Sequence, residues 1–241
     1  MAARVRLAWA AVPHDERASR LLPGLEPLSR DFGKERGAPI DRWYIHRFLW
    51  ERRGDVRGRV LEVGDPDYSD YLGEGEISRC DVLHAKPGNP AATLVGDLAT
   101  GEGIPRDAFD CILLTQTLQL VYDVAGVVRT LHDALVPGGV ALVTVPGISQ
   151  ISQYDRREWG DHWRFTQDSA RRLFADVFGA DRVETVAYGN VLVSAAFLYG
   201  LAIEDLDEDE LRHRDEDFDF LVCVRAVRGQ AQASASRSSR I

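Results

Sequence analysis

One segment near the middle of the chain restricts the possible folds more than any other. Residues Phe109 to Gln116, FDCILLTQ, form a nearly unbroken apolar run, which is typical of a strand buried on both faces of a parallel sheet. A second run of this kind, VALVTVPG, extends from Val140 to Gly147. Parallel strands need a crossover connection, so these two runs predict an α/β fold with a helix between them.

The segment between these strands has the signals of that helix. Asp123 can cap its N-terminus, and the Pro-Gly-Gly sequence at 137–139 stops it. Its apolar residues recur at helical spacing: Val124, Val127, Val128, Leu131 and Leu135. The same reasoning predicts a helix capped by Asp41 over DRWYIHRFLWERR, and another capped by Thr166 that ends at Gly179.

Five shorter segments complete the set of predicted strands. They are RVLEV (59–63), SRCDVLH (78–84), ATLVG (92–96), RVETVAYG (182–189) and DFLVCVRAV (219–227). The last two flank an apolar helical stretch, Val191 to Leu201, and the segment from Phe218 to Val227 can return antiparallel. Strands that alternate with helices predict a Rossmann-like, doubly wound α/β domain, with a mostly parallel seven-stranded sheet and an antiparallel last strand.

The predicted domain covers residues 41–228. Residues 1–40, which contain four prolines, are interpreted as an N-terminal extension. Residues 229–241 are of low complexity and are interpreted as a disordered tail. Residues 204–219 carry ten carboxylates and are interpreted as a solvated loop within the domain.

The overall charge and the apolar runs limit the partners of the chain. With 29 basic and 38 acidic residues, the net charge of −9 argues against general binding to nucleic acid or to an anionic membrane. The longest nearly apolar run, Val191 to Ile203, is shorter than the ~20 residues of a membrane-spanning helix. The three cysteines show no metal-ligand spacing. We therefore expect reduced thiols, no bound metal and a soluble protein of the cytoplasm.

Three predicted strands end near an acidic residue: Glu62, Asp81 and Asp97. Ligands of such sheets bind outside the carboxyl ends of the strands, where the strand order switches. Glu62 and Asp81 are nineteen residues apart, close to the ~20 expected between a nucleoside-binding turn and the carboxylate that holds a ribose diol. Each acidic residue can instead cap the turn or helix that follows it.

The turn after the first strand has an unusual composition for such a site. In LEVGDPDYSDYLG, residues 61–73, Gly64 is present, but Asp65, Pro66 and Asp67 stand where further glycines would let the backbone approach a ligand. Pro66 removes one N–H donor, and the aspartates place negative charge where a ligand carboxylate would bind. The aspartates can instead cap the following short helix, and they are compatible with a cationic ligand.

Four successive segments together resemble the motifs of class I S-adenosylmethionine-dependent methyltransferases, type 11 subgroup. They are VLEVG, CDVLH, VGDLATGEGIPRDAFDCILLTQTLQLVYD and LHDALVPGGVALVTVPG, and they lie between Arg59 and Gly147. The part from Gly96 to Gly139 is the most specific. A looser likeness continues through WGDHWRFTQDSARRLFADVFG, residues 159–179.

The resemblance implies a role in binding S-adenosylmethionine for each matching position. Those positions are Glu62 and Gly64 for the methionine end, Asp81 for the ribose, Asp97 and Leu98 for the adenine, and Thr115 and Gln116 for the floor of the site. Their neighbours Val63, Asp65 and Val82 are also expected to contact the cofactor. The helix at 41–52 would close over the site. The chain departs from the family pattern at the glycine-poor turn and between Asp81 and Asp97, where Pro87, Gly88 and Pro90 predict that the usual helix is absent or very short.

His162 is the best candidate for a catalytic base, because it follows the fifth strand, where acceptor contacts are expected. It can equally pack beside Trp163 and hydrogen-bond a loop. Tyr154 and His84 are weaker candidates. Trp159 and Trp163 can stack on a sugar or an aromatic acceptor, or can anchor the loop that carries them.

These features favour a methyltransferase that uses S-adenosylmethionine to modify a small molecule or a saccharide, at a hydroxyl in preference to nitrogen or carbon. A function of a different class stays open: a methyltransferase fold without catalysis that serves as a binding or scaffolding protein. A third reading, an enzyme that binds the same cofactor but performs other chemistry, is not separated from the first by the sequence. The sequence gives no indication of the acceptor's identity or of the oligomeric state.

Overall fold

The computed structural model describes residues 24–72 and 76–230, which form a seven-stranded sheet with the order β3-β2-β1-β4-β5-β7-β6. The strands are β1 (Gly58–Val63), β2 (Ile77–His84), β3 (Leu94–Val95), β4 (Phe109–Thr115), β5 (Leu135–Pro146), β6 (Val183–Tyr188) and β7 (Leu221–Val227). The first five strands pair in parallel, whereas β7 runs antiparallel to both of its neighbours, β5 and β6. The predicted mostly parallel sheet with an antiparallel last strand is confirmed.

The described residues contain seven α-helices, of which the first precedes β1 and the others lie between strands. They are α1 (Ile40–Glu51), α2 (Asp67–Leu72), α3 (Val124–Ala134), α4 (Gln153–Glu158), α5 (Gln167–Phe178), α6 (Val191–Leu198) and α7 (Glu208–Arg212). One face of the sheet packs against α3 and α5, and the other against α1, α6 and α7. None of these helices is long and apolar enough to cross a membrane.

Two predicted helix caps are confirmed, and one is wrong. The Asp123 carboxylate accepts a hydrogen bond from the Gly126 N–H at 2.8 Å, and the Thr166 hydroxyl accepts one from the Ser169 N–H at 3.2 Å. Asp41 does not cap α1, because that helix begins one residue earlier, and its N-cap is Pro39. Asp41 therefore lies inside the first turn of α1.

The Pro-Gly-Gly sequence at 137–139 lies inside β5, which begins at Leu135 and not at the predicted Val140. Leu135 pairs with Phe109, and the register of β4 and β5 then shifts before Cys111. A Cβ on Gly139 would come within 2.9 Å of the Phe109 carbonyl oxygen, so the close approach of the two strands requires glycine there.

The connections around β2 are short, as the sequence predicts. Helix α2 has six residues, no helix lies between His84 and Leu94, and β3 is only two residues long. The acidic segment 204–219 is not wholly a loop, because it contains α7. Residues 1–23 of the predicted extension and 231–241 of the predicted tail lie outside the described residues, so both predictions stay predictions.

Candidate functional site

A cleft of about 950 Å³ opens at the carboxyl ends of β1, β4 and β5. The strand order reverses between β1 and β4, which is where sheets of this kind bind ligands. Six of the predicted site residues line the cleft: Glu62, Val63, Gly64, Asp65, Thr115 and Gln116. Its other walls come from α1, from residues 30–35 before it, and from the loop after β5.

Gly64 leaves open space above the turn that follows β1. Its φ angle is 103°, in the region that favours glycine. A Cβ built on Gly64 would have no other atom within 4 Å. A ligand in the cleft can therefore approach the backbone of this turn closely.

Glu62 fixes the start of α2 from inside the protein. Its carboxylate accepts hydrogen bonds from the backbone N–H groups of Tyr68, at 3.0 Å, and Ser69, at 2.8 Å, and from the Ser69 hydroxyl. Burial raises the pKa of Glu62, although these hydrogen bonds act in the opposite direction. The free N–H groups at the start of α2 thus have a partner within the chain, which explains how the turn keeps its shape without further glycines.

Two glutamines that line the cleft, just after β4, have buried side-chain amide atoms without a hydrogen-bond partner. The Gln119 Nε2 donates to the Gln116 backbone carbonyl at 2.8 Å, and Gln119 is only 8% exposed. This contact leaves Gln119 Oε1 and Gln116 Nε2 buried without a hydrogen-bond partner. Gln116 also has a φ angle of 46°, a backbone conformation that costs free energy in any residue except glycine.

Helix α1 forms the wall opposite the sheet. The Arg42 guanidinium donates to the Tyr68 hydroxyl at 3.1 Å. Next to Arg42, Asp41 is half-buried and has one carboxylate oxygen that is enclosed and unpartnered. Burial raises the pKa of Asp41, although Arg42 opposes the effect. One turn further along α1, His46 packs edge-on against Tyr68 and Tyr71, and burial together with Arg42 lowers its pKa.

The loop after β5 forms a wall that is tied together by one ion pair. Arg164 donates to the Asp161 carboxylate at 2.6 Å and to the Gln150 carbonyl oxygen at 2.5 Å. Asp161 also accepts from the Ser152 N–H at 3.1 Å, and its side chain is only 3% exposed. These contacts connect both ends of the loop, so α4 is held at the edge of the cleft.

Asp81 does not line the cleft. Strand β2 continues for three residues beyond Asp81, to His84. Asp81 is fully buried, and its carboxylate pairs with Arg59 at 2.7 Å, with Arg79 at 2.6 Å and with the Thr93 hydroxyl at 3.1 Å. Both oxygens of the Asp81 carboxylate therefore have hydrogen-bond partners inside the protein.

Three more predicted site residues are not part of the cleft lining: Val82, Asp97 and Leu98. Asp97 is exposed, and its carboxylate accepts from the Ala99 N–H at 2.7 Å in a local turn. Leu98 belongs to the core beneath α3, and Val82 is buried within β2. For Asp97 the turn-capping alternative therefore describes the observed contact.

His162 is likewise outside the cleft lining. Its side chain is exposed and packs edge-on against Tyr122, with the ring centroids 5.5 Å apart. Trp163 anchors the loop by donating to the Tyr122 carbonyl oxygen at 3.2 Å. Tyr154 does line the cleft, at its rim, and is 65% exposed. The geometry thus gives His162 no contact with a ligand in this cleft.

Comparison with known proteins identifies the family. A family model described as a methyltransferase domain matches residues 42–187, more than half of the chain. The chain belongs to this methyltransferase family. The predicted resemblance to the class I enzymes is confirmed, whereas a search of curated protein sequences finds no significant match.

Solved structures show the same fold at low sequence identity. The N-methyltransferase NodS from Bradyrhizobium japonicum, in complex with S-adenosyl-L-homocysteine, is 12% identical, with a TM-score of 0.50 over 83% of this chain and 93% of that chain. The [4+2]-cyclase SpnF is 13% identical, with a TM-score of 0.52 over 81% of this chain and 84% of that chain. At these identities the likeness concerns the methyltransferase fold and not the substrate.

Several cleft residues were not predicted from the sequence. His46 and Asp41 were assigned only to a helix, and Gln119 and Arg164 were given no role in binding. A signal existed for the first two, since the sequence predicts that their helix closes over the site. Gln119 belongs to the segment after the fourth predicted strand, where ligands are expected, but its hydrogen bond to Gln116 cannot be inferred from the sequence.

Proposed function

We propose that this methyltransferase-family protein binds S-adenosylmethionine in the cleft and methylates a hydroxyl group of a small molecule or saccharide. One observation supports the binding site most directly. Of the four buried side-chain atoms without a hydrogen-bond partner in the described residues, three belong to residues of the cleft: Asp41, Gln116 and Gln119. Because a buried polar atom without a partner costs roughly 1–3 kcal/mol, their concentration in one cleft favours a polar ligand.

The charge of the cleft fits a cationic ligand. Eight carboxylate residues line it, against four lysine or arginine residues. When bound, S-adenosylmethionine supplies a methyl group activated by a positively charged sulfur, and it also carries an ammonium group. The open space above Gly64 allows a ligand to contact the backbone of the turn. The residues present therefore fit the methionine end of this cofactor.

The acceptor would bind between α1 and the loop after β5. His46 lies on that side of the cleft, and burial together with Arg42 lowers its pKa, which favours the neutral imidazole. A neutral imidazole can take up the proton that a hydroxyl acceptor releases, which is the role of a general base. The loop held by Asp161 and Arg164 would position the acceptor in line with the methyl group and exclude water.

A non-catalytic binding protein is the second candidate. It is favoured by the placement of Asp81 and Asp97, which engage partners within the chain and leave the nucleoside end of the predicted site without the expected carboxylates. Under this candidate, variants of the cleft that no longer bind the cofactor would keep the protein's cellular function.

Calorimetric titration tests the first proposal. S-adenosylmethionine and S-adenosylhomocysteine are each titrated into the full chain, and the thermal unfolding temperature is measured in parallel. We expect saturable binding of both, with a rise in unfolding temperature. Gln119→Leu, which removes a buried amide of the cleft, should weaken binding, whereas Gln230→Leu, at an exposed glutamine outside the cleft lining, should not. If millimolar ligand produces no heat of binding and no change in the unfolding temperature, the proposal is contradicted.

A further inference from the structure

We propose that His84, at the carboxyl end of β2, accepts a hydrogen bond from one ribose hydroxyl of the cofactor, in the place where a carboxylate is expected. This inference rests on the proposed function, because it names a recognition residue for the same site. It concerns the nucleoside end of the crevice, whereas the cleft described above accounts for the methionine end.

The sheet register places His84 at the edge where the nucleoside would lie. Val63 pairs with Leu83, so the next residues, Gly64 and His84, stand side by side where β1 and β2 end. On the other side, the Gly96 N–H donates to the His84 carbonyl oxygen at 3.2 Å. His84 therefore occupies the strand-end position from which a side chain reaches a ribose in folds of this kind.

Neither nearby aspartate can serve in its place. Asp81 is three residues earlier on β2, and residues at an odd spacing on a strand point to opposite faces of the sheet. Its carboxylate is fully buried and engaged with Arg59 and Arg79. Asp97, after β3, is exposed and engaged in its local turn. His84 is left as the polar side chain at this strand end.

The contacts of the imidazole orient it as a hydrogen-bond acceptor. His84 Nδ1 lies 2.7 Å from the Lys86 carbonyl oxygen, and the Lys86 N–H lies farther from the same nitrogen, at 3.2 Å. The shorter contact assigns the proton to Nδ1, since only a protonated nitrogen can donate to a carbonyl. Nε2 then carries the lone pair, and it has no hydrogen-bond partner among the described residues.

Trp159 holds the ring in this orientation. The indole of Trp159 meets the His84 ring edge-on, with centroids 5.4 Å apart. The Lys86 ammonium lies 4.3 Å above the centre of the same indole and donates to the Glu158 carbonyl oxygen. The loop after β5 thus reaches across to β2 and fixes the imidazole.

An imidazole differs from a carboxylate in what it can recognise. A carboxylate accepts hydrogen bonds from both hydroxyls of a diol, whereas Nε2 of a neutral imidazole accepts only one. We therefore expect weaker recognition of the ribose than a carboxylate would provide. Replacing His84 by aspartate should strengthen it.

The test is a calorimetric comparison of two probes, S-adenosylhomocysteine and an analogue of it whose ribose lacks both hydroxyls. His84→Ala should weaken binding of S-adenosylhomocysteine by about 5–10-fold, the effect of one lost hydrogen bond, and should leave binding of the analogue unchanged. His84→Gln keeps one acceptor and should retain most of the affinity. His84→Asp should bind S-adenosylhomocysteine more tightly than the original chain does.

Two results for His84→Ala would contradict the inference. If His84→Ala binds S-adenosylhomocysteine within twofold of the original chain, His84 does not contact the ribose. If both probes weaken equally, His84 acts through the fold. His213→Ala, at an exposed histidine after α7, is the control and should change neither affinity. If the original chain binds neither probe, the proposed function fails too, whereas normal binding without an effect at His84 overturns the inference alone.

Discussion

The carboxylate of Glu62, at the end of β1, accepts a hydrogen bond from the backbone N–H of Ser69 at 2.8 Å and a second one from its hydroxyl. A residue predicted to face a ligand is thereby part of the cap of α2. The turn between them, Gly64 to Asp67, keeps an open face toward the cleft with only one glycine. The unusual composition of this turn and its position at a binding site are thus compatible.

Removing this cap should destabilise the protein. For Glu62→Ala we expect the free energy of unfolding to fall by about 1–3 kcal/mol, because two N–H groups of α2 lose a buried partner. Urea denaturation monitored by circular dichroism measures the change. Glu102→Ala, at an exposed glutamate, should stay within about 0.5 kcal/mol of the original chain. Equal stabilities of the two variants would show that the cap contributes nothing.

Asp81 should make the free energy of unfolding fall at acidic pH. Burial alone would raise its pKa, but hydrogen bonds from Arg59, Arg79 and Thr93 outweigh burial and lower it. Its contribution is therefore present above the unfolded value, about pH 4, and is lost as the pH falls through the lower folded pKa. Asp81→Asn should lose about 1–3 kcal/mol at neutral pH, since both arginines are partly exposed.

Chemical denaturation between pH 2 and pH 7 checks this prediction about Asp81. Below pH 4 the curves of the original chain and of Asp81→Asn should converge. Asp97→Asn, which changes an exposed turn carboxylate, serves as the control and should run parallel to the original chain. Curves for Asp81→Asn that also run parallel would mean that Asp81 carries no linked proton.

Gln116 should show a conflict between stability and binding. Gln116→Ala and Gln116→Gly both remove the amide from the cleft, so both should weaken binding of S-adenosylhomocysteine to the same extent. Only glycine relieves the left-handed backbone, so Gln116→Gly should be more stable than Gln116→Ala by about 1 kcal/mol. Denaturation and calorimetry on the pair measure both effects. A stability order reversed between the two variants would exclude backbone strain at this position.

His46 should make stability rise with pH in a defined window. Burial and the neighbouring Arg42 lower its pKa in the folded protein. Between that value and the unfolded value of about 6.5, the unfolded chain binds more protons, so acidification favours unfolding. We expect thermal unfolding temperatures of the original chain to fall in this window, and those of His46→Gln to fall less. His213→Gln should follow the original chain.

The same residue gives the proposed enzyme a pH profile. If His46 is the base, methyl transfer should decline as the pH falls through its lowered pKa, since the protonated imidazole accepts no proton. His46→Gln should remove that decline together with most of the activity, while S-adenosylhomocysteine still binds. A rate unaffected by the substitution would assign the base to another residue.

Local patterns in the sequence predicted local structure well. The caps at Asp123 and Thr166 each depend on a residue three positions away, and the buried strands β4 and β5 depend on continuous apolar runs. The fold class follows from the alternation of such segments. Asp41 was assigned wrongly because the N-cap of α1 is Pro39, two residues before the predicted cap.

The candidate site was less predictable, because it depends on where strands end and on distant partners. The end of β2 at His84 was predicted, but the pairing of the Asp81 carboxylate with Arg59 of the neighbouring strand was not. His162 follows β5, as predicted, but its ring packs edge-on against Tyr122. Neither contact can be inferred from the spacing of residues along the chain.

The shortness of β3 has a consequence for association with other chains. An edge strand exposes a row of unpaired backbone groups, and a second protein can extend the sheet by pairing with them. Here the edge strand consists only of Leu94 and Val95. Such a short edge strand offers too few backbone groups for stable pairing with a strand of another chain. The short connection between β2 and β3 therefore leaves a sheet edge that another protein cannot readily extend.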